Sequence, residues 1–469
     1  SIPQLITNPD QLVINSNLRH MKRPNIIFLL TDNQRYNLMR CAGNPIIYTP
    51  HMDNLANQGV RFTNAFTTTP ICAASRASLL TGLYERRHQF TFNTPPLRSE
   101  FTDISYPTLL RSAGYYTGFI GKFGIESNGE LLVENKKEAL GKMFDVFDNF
   151  EHWGPNGYLV KQADGSMKHL TDVTADKVVG FLHGRKQGKP FCLSVSFNAP
   201  HAQDNVPQQY FWPSSVDHLY REVTIPNPAN SSPDFFANLP DFLQQSLGRE
   251  RWFWRFDGVE KFQQMMKGLY RMVSGVDTAI GRIRKEIKQL GLEDNTIIIF
   301  MSDHGMFYGE RGLSDCWLLY EDCIRVPLII FDPRSEETTN YATLIEQMVL
   351  NLDIAPTILE LAGLDVPKVT QGCSLVPLLT DFRPQTWRTD FCCEHLFDHP
   401  KIPKSEGIRT ECWKYIQYFE QQPIYEELYD LKRDTQETTN LIDDIALVEE
   451  TKHLRKRFSQ LRQEAEGIQ

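Results

Sequence analysis

Four widely separated apolar runs of this chain each end in a residue suited to chemistry. NIIFLL (25–30) leads into Thr31-Asp32, YYTGFI (115–120) into Gly121-Lys122, FCLSVSF (191–197) into Asn198-Ala199-Pro200-His201, and TIIIFM (296–301) into Ser302-Asp303-His304. Runs rich in Ile, Val, Phe and Leu suit strands buried on both faces, as in a parallel sheet covered by helices. Helical patterns over 75–83, 107–113, 172–184, 261–290 and 352–362 predict the covering layers. The expected fold class is therefore α/β with a largely parallel sheet. In open sheets of this kind ligands bind beyond the carboxyl ends of the strands. Asp32, Lys122, His201 and Asp303 would then converge on one site. One strand ending in Asp is unremarkable, because Asp is a common turn residue; four such ends together are harder to dismiss.

The remaining composition narrows the partners. With 469 residues, 41% of them hydrophobic, the chain can bury a large core in one big domain or two unequal ones. A net charge of −9 argues against a nucleic-acid partner, though a local cationic pocket for an anion remains compatible with it. No apolar run approaches the roughly 20 residues of a membrane span. Nine cysteines are scattered without CxxC spacing, which gives little support to a zinc site or a disulfide framework. Segment 202–260, rich in Pro and aromatics and without clean periodicity, reads as a long surface excursion of the kind that can shape a pocket. From about 385 the pattern changes to a small antiparallel sheet (GIRTECWKYIQYF, YEELYDL) and a charged helix near 444–466. The expected division is a catalytic domain over 1–384 and a C-terminal subdomain over 385–469 that completes the pocket.

Asp32-Asn33 and Asp303-His304 each supply two adjacent polar side chains. Carboxylate and amide oxygens suit Ca²⁺ or Mg²⁺, and two acidic strand ends could share one such ion. His304 is less usual on Ca²⁺, while zinc would ask for more His or Cys. Between these halves lies TTTPICAASRASLLTG (67–82). Ser75-Arg76-Ala77-Ser78 reads as a helix start, whose free N–H groups and positive dipole end favour an anion. A thiol at Cys72 with Arg76 one turn on would be reactive, although a buried packing cysteine fits the same pattern equally well.

At this point the residues resemble a family. Cys72-Ala73-Ala74-Ser75-Arg76 followed by ASLLTGLY resembles the Cys-x-Pro/Ala-x-Arg signature of the type I sulfatases. RPNIIFLLTDNQRY, TPHMDNLANQGVRFTNAF, YPTLLRSAGYYTGFIGKFG, FNAPH, YRMVSGVDTAIGRIRKEIKQLGLEDNTIIIFMSDHG and EELYDLKRDTQETTNL resemble further family segments in order, over nearly the whole chain. The resemblance, with bacterial carbohydrate sulfatases in particular, implies an alkaline-phosphatase-like fold and sulfate-ester hydrolysis, with a sulfated mono- or oligosaccharide as substrate and a periplasmic or secreted location. It implies that a maturase oxidises Cys72 to formylglycine, whose hydrated diol attacks sulfur. It further implies a Ca²⁺ ion on Asp32, Asn33, Asp303, His304 and the residue-72 diol. Arg76 would hold the diol, Lys122 would neutralise charge on the sulfate, and His201 would protonate the leaving oxygen, its ordinary pKa lying near neutrality.

Three departures accompany the match. Asn33 stands where many relatives have a second Asp. GKFGIE lacks the His that many relatives place two residues after the Lys. Cys316, in LSDCWLLYE, stands where the family usually has a sulfate-binding Lys. Loss of such a cation could cost on the order of 10²–10³-fold in rate, by analogy with removal of an oxyanion donor. Cys316 therefore joins Glu394, His395, His399 and Arg409 as the expected substrate-facing set, the last four placed where the C-terminal subdomain should approach the pocket. Two rival functions follow: a phosphonate or phosphate monoester hydrolase using the same nucleophile, and a catalytically weak binder of sulfated glycans.

Overall fold

The central strands form because their runs can bury both faces at once. In the computed structural model, which describes residues 22–467 apart from 93–94, 151–156, 205, 335–342 and 381–383, Asn25–Thr31, Tyr116–Gly121, Phe191–Ser196 and Thr296–Ser302 lie in one eight-stranded sheet. Asn25–Thr31 sits between Phe191–Ser196 and Thr296–Ser302, parallel to both, and Tyr116–Gly121 follows outside Phe191–Ser196 in the same direction. Alternate side chains enter opposite layers. Ile27, Leu29, Leu193, Val195, Ile298 and Phe300 face one core, with the helices Val259–Gln289, Leu170–Gly184 and Pro50–Gln58. Ile26, Phe28, Leu30, Ile297, Ile299 and Met301 face the other, under Cys72–Thr81, Tyr106–Ser112 and Ile354–Leu361. The largely parallel sheet and its five expected helices are all present, with ends shifted by a few residues. Beyond Thr296–Ser302 the sheet turns antiparallel, through Leu328–Phe331.

The C-terminal part is a four-stranded antiparallel meander, Asp390–His395, Ser405–Thr410, Trp413–Tyr418 and Tyr425–Asp430. One face carries Cys392, Ile408, Tyr415 and Leu428, covered by Leu454, Phe458 and Leu461 of the helix Val448–Glu466. The other face, with Phe391, Cys393, Ile416 and Tyr418, packs against Ile71 and Ala74 beside Cys72 and against Cys316, Trp317 and Leu319. The first strand of this sheet, with its Cys392-Cys393 pair, is longer-range than the local pattern conveys: its partners only become apparent once the meander forms.

The excursion 202–260 is less irregular than expected. It contains the short helices Pro233–Ala237, Asp241–Gln244 and Leu247–Arg255. Their brevity hides any 3.6-residue period. Among the described residues no helix is long and apolar enough to cross a membrane.

Candidate active site

Parallel register sets the site. Thr31 pairs with Ser302, Leu30 with Ser196, and Ser196 with Gly121, so the residues that follow leave the sheet at one edge. The ladder is prolonged there by Asp303 N–H to Thr31 O (3.2 Å) and Lys122 N–H to Ser196 O (3.0 Å). Asp32, Asp303 and His304 are all buried, and ligand atoms from the three lie within 4.8 Å of one another. Asn33 joins them through a left-handed backbone (φ 68°), a conformation that Asn tolerates better than most residues. Its N–H donates to Asp303 Oδ1 (3.1 Å), as does that of His304 (2.8 Å). The Oδ1 atoms of Asp32 and Asn33 are buried without a hydrogen-bond partner. Buried oxygens are rarely left so. Two open oxygens beside a second carboxylate and a ring nitrogen form a donor set that fits a hard divalent cation.

Two cations complete the floor. Arg76 reaches in from the helix Cys72–Thr81, which Gly82 ends in a left-handed cap (φ 71°). Its Nε donates to Asp303 Oδ2 (3.2 Å), and its Nη1 donates to Lys122 O (2.7 Å) and Ser196 Oγ (2.5 Å). Lys122 Nζ donates to Asp32 Oδ2 (2.5 Å). Burial opposes the Asp32 charge, yet Lys122, His201, Arg76 and His304 together hold its carboxyl well below the usual range. Lys122 is likewise held ionised against burial by Asp32. Two carboxylates and two cations balance, so a divalent ion would leave a net positive floor suited to an anion. Gly124, where many relatives of the resembled family carry His, has φ +75°, and an added Cβ would lie 2.5 Å from Arg76 Cδ. The guanidinium stem occupies that space.

Cys72 opens its helix half-buried. Burial opposes the His304 charge, but Asp303 first, and the Cys316 and Cys72 thiols after it, push the ring's pKa well above its usual range. Ser75, one turn on, donates to Asp303 O (2.7 Å) and is itself approached by Thr67 and Asn351, a support that sequence reading did not identify. His201 is half-buried. Its carbonyl accepts from Tyr158 OH (2.6 Å), and its ring lies near enough to Asp32 and Asp315 to favour both carboxylates.

The structure separates the expected substrate-facing residues. Cys316 does reach the cluster, but as an apolar neighbour of Phe307, Leu313 and Trp317; burial pushes its thiol up to about 12, so it brings no charge. Beside it Asp315 (φ 68°) is gripped by Arg251 and Arg255 of Leu247–Arg255. Arg255 also binds Asp204 (2.5 Å), Gln209 (2.8 Å) and Ser314 (3.0 Å). These residues also escaped the sequence reading; the only available signal was two arginines four apart on one helix face.

Glu394 does not face the pocket. Strand alternation sends it with Cys392 to the far face, where it pairs with Arg86 (2.6 Å). Arg409 is also withdrawn: it donates to Glu321 (2.6 Å) and lies 4.6 Å above the Phe66 ring. There it lines a cleft of about 670 Å³ that includes none of the Asp32–Asp303–His304 cluster. His395 is fully buried, with both ring nitrogens unpartnered, and burial pushes it down to about 3, hence neutral. His399 stays partly exposed, its pKa lowered by desolvation and by nearby Arg251 and Lys401.

Comparison with known proteins agrees with this architecture. The Sulfatase family model matches residues 24–364, and a model for the C-terminal region of N-sulphoglucosamine sulphohydrolase matches residues 309–464. An N-acetylglucosamine-6-O-sulfatase of Bacteroides thetaiotaomicron is 28% identical over 94% of this chain and 86% of its own. An arylsulfatase of Clostridium perfringens is 27% identical over 92% and 93%. A solved relative in complex with its substrate D-glucosamine-2-N,6-O-disulfate superposes with a TM-score of 0.77 at 27% identity, covering 95% of this chain and 98% of that one. A phosphonate monoester hydrolase from Silicibacter pomeroyi gives the same TM-score at 21% identity, over 94% and 96%, a likeness of fold.

Proposed function

We propose that this chain, which belongs to the sulfatase family and is a sulfuric ester hydrolase, acts on a sulfated saccharide through a formylglycine made from Cys72 and a calcium ion. The observation that carries this reading is the buried pair of open oxygens, Asp32 Oδ1 and Asn33 Oδ1, beside Asp303 and His304. Calcium held by these four would polarise the sulfate oxygens, and the hydrated formylglycine would supply the attacking oxygen. The net change is R–OSO₃⁻ + H₂O → ROH + SO₄²⁻ + H⁺. Arg76, anchored by Asp303, Ser196 and the Lys122 carbonyl, fixes residue 72 on its helix start. Lys122 lies within electrostatic range of Cys72 and Asp303 and offsets charge gathering on the sulfate. His201 gives its proton to the departing sugar oxygen.

The substrate class is supported by the two relatives named for, or bound to, sulfated glucosamines. In this reading residues 1–384 form the catalytic unit and 385–469 the subdomain closing the pocket, with a maturase as partner and a periplasmic or secreted location. The neutral Cys316 favours one second reading, a catalytically weak binder of sulfated glycans, because it takes a positive charge away from the sulfate side. The decisive experiment is co-expression with a formylglycine-generating maturase, mass analysis of the residue-72 peptide, and turnover of paired aryl sulfate and aryl phosphonate together with a panel of sulfated hexosamines. Formylglycine at 72 and sulfate release are expected. A residue 72 that stays a thiol, or a strong preference for the phosphonate, defeats the proposal.

A further inference from the structure

From the structure we infer that Asp204 and Arg251, with Trp254, form the subsite that holds the sugar being released, reading hydroxyl groups next to the scissile sulfate. The inference rests on the proposed role of His201 as proton donor to the leaving oxygen. Groups beyond His201 from the metal cluster are then placed to hold the leaving alcohol. Asp204 follows His201 by three residues, and Asp315, the shared partner of Arg251 and Arg255, accepts from the Cys316 thiol (3.8 Å) and lies within electrostatic range of His201.

Within this tetrad the two halves differ in what they leave open. Arg255 and Asp315 are 1% and 5% exposed, and Arg255 spends its donors on Asp204, Asp315, Gln209 and Ser314. They are the frame. Asp204 and Arg251 are 27% and 18% exposed and meet each other only at 3.3 Å. Arg255 holds Asp204 Oδ1, so Oδ2 is the loosely held acceptor. Arg251 uses Nη1 for both of its carboxylates, while its Nε is buried without a partner. A carboxylate oxygen can accept from one hydroxyl while the guanidinium edge beside it donates to the neighbouring one, which is the pattern a vicinal diol presents.

Aromatic surface surrounds the pair. The Arg251 guanidinium lies 5.2 Å from the Trp254 ring and 5.1 Å from that of Trp317. Trp254 is 40% exposed, an amphipathic ring at the rim where the C–H face of a pyranose can stack. The arrangement is neutral overall, two acids against two arginines, so it favours a hydroxylated sugar over a second strongly charged group.

The test compares Arg251→Gln and Asp204→Asn with wild type, all matured at residue 72, on 4-nitrophenyl sulfate and on a panel of sulfated hexosamines, hexoses and uronate disaccharides. Arg255 still holds Asp315 in the first variant, and an unchanged melting curve checks that the fold persists. The loss in kcat/KM on the best saccharide is expected to be about 10–100-fold, mostly in KM, and at least tenfold larger than the loss on the aryl ester, which has no diol to lose. Equal losses on both substrates, or none, overturn the inference. A wild-type enzyme that turns over the aryl sulfate but no saccharide overturns it as well. Failure on every sulfate ester despite formylglycine at residue 72 would instead bring down the functional reading on which it stands.

Discussion

Two clusters of buried charge lie on either side of the Cys316 loop, and they are built differently. At the sheet edge, Asp32, Asp303, Arg76 and Lys122 balance one another, yet Asp32 Oδ1 and Asn33 Oδ1 are left without partners. At the joint between the sheet layers and the C-terminal meander, Glu321, Arg409, Lys414 and Glu437 close on themselves. Glu321 takes Arg409 on one oxygen (2.6 Å) and Lys414 on the other (2.8 Å), while Glu437 takes the Glu321 N–H (2.7 Å) and Lys414 (2.7 Å). The second network is held together by its own ion pairs, and Glu321, Arg409 and Glu437 border the cleft of about 670 Å³. The first is a site that waits for a ligand to satisfy it. What sets it apart is that Asp32 Oδ1 and Asn33 Oδ1 lie open beside Asp303 and His304, a donor set for a cation.

Asp303→Asn is the sharpest break of this comparison. It removes the negative charge and leaves one oxygen to serve both Arg76 and the two backbone amides, and kcat on 4-nitrophenyl sulfate is expected to fall by at least about 10²–10³-fold. At the joint, Lys414→Met should act in the opposite sense, costing about 3–5 kcal/mol in chemical denaturation because two buried carboxylates lose their partner. Its kcat at 25 °C should change by less than about threefold, since the two clusters share no side-chain partner. A catalytic collapse in that variant, with the folded fraction intact, would erase the distinction drawn here.

Calcium addition probes the open cluster alone. Saturating ion at about 100 times Kd should stabilise the wild type by about 2.7 kcal/mol and leave Asp303→Asn unmoved, as followed by calorimetry. Equal stabilisation of both proteins would place the ion elsewhere. The smallest effect concerns Glu427, which caps the closed side. Burial, only partly countered by the Tyr320 hydroxyl, pushes its carboxyl up to about 7. Between the ordinary carboxylate range and that value the folded chain keeps a proton that the unfolded chain has released, so stability falls as pH rises through this window. Glu427→Gln removes the titration, and its denaturation midpoint relative to wild type should climb from about pH 5 to about pH 8. A constant offset across that range would clear Glu427 of the effect.

The open cluster was legible in sequence because its residues follow directly on continuous apolar runs, whose ends a parallel register must bring together. Glu394 and Arg409 were misplaced for a related reason. Their position along the chain brought them near the pocket, but the two-residue period of its strand turns Glu394 toward Arg86, while Arg409 stays on the face of Phe391 and Cys393 and is taken up there by Glu321. The helix bearing Arg251 was hidden by its brevity and by the aromatics on several of its sides, which blur any apolar face. Cys316 is surrounded by apolar side chains from its own stretch, Phe307, Leu313 and Trp317, and from the C-terminal meander, Phe391 and Cys393, and the second group lies too far along the chain for a local pattern to show.

Gly124 carries a consequence for substitution. The Arg76 stem fills the space that a side chain at 124 would need, and the backbone there is left-handed. A side chain placed at 124 would require the Arg76 stem, whose Nε donates to Asp303, to shift. Position 124 is thereby coupled to the grip on the metal-facing carboxylate without touching it.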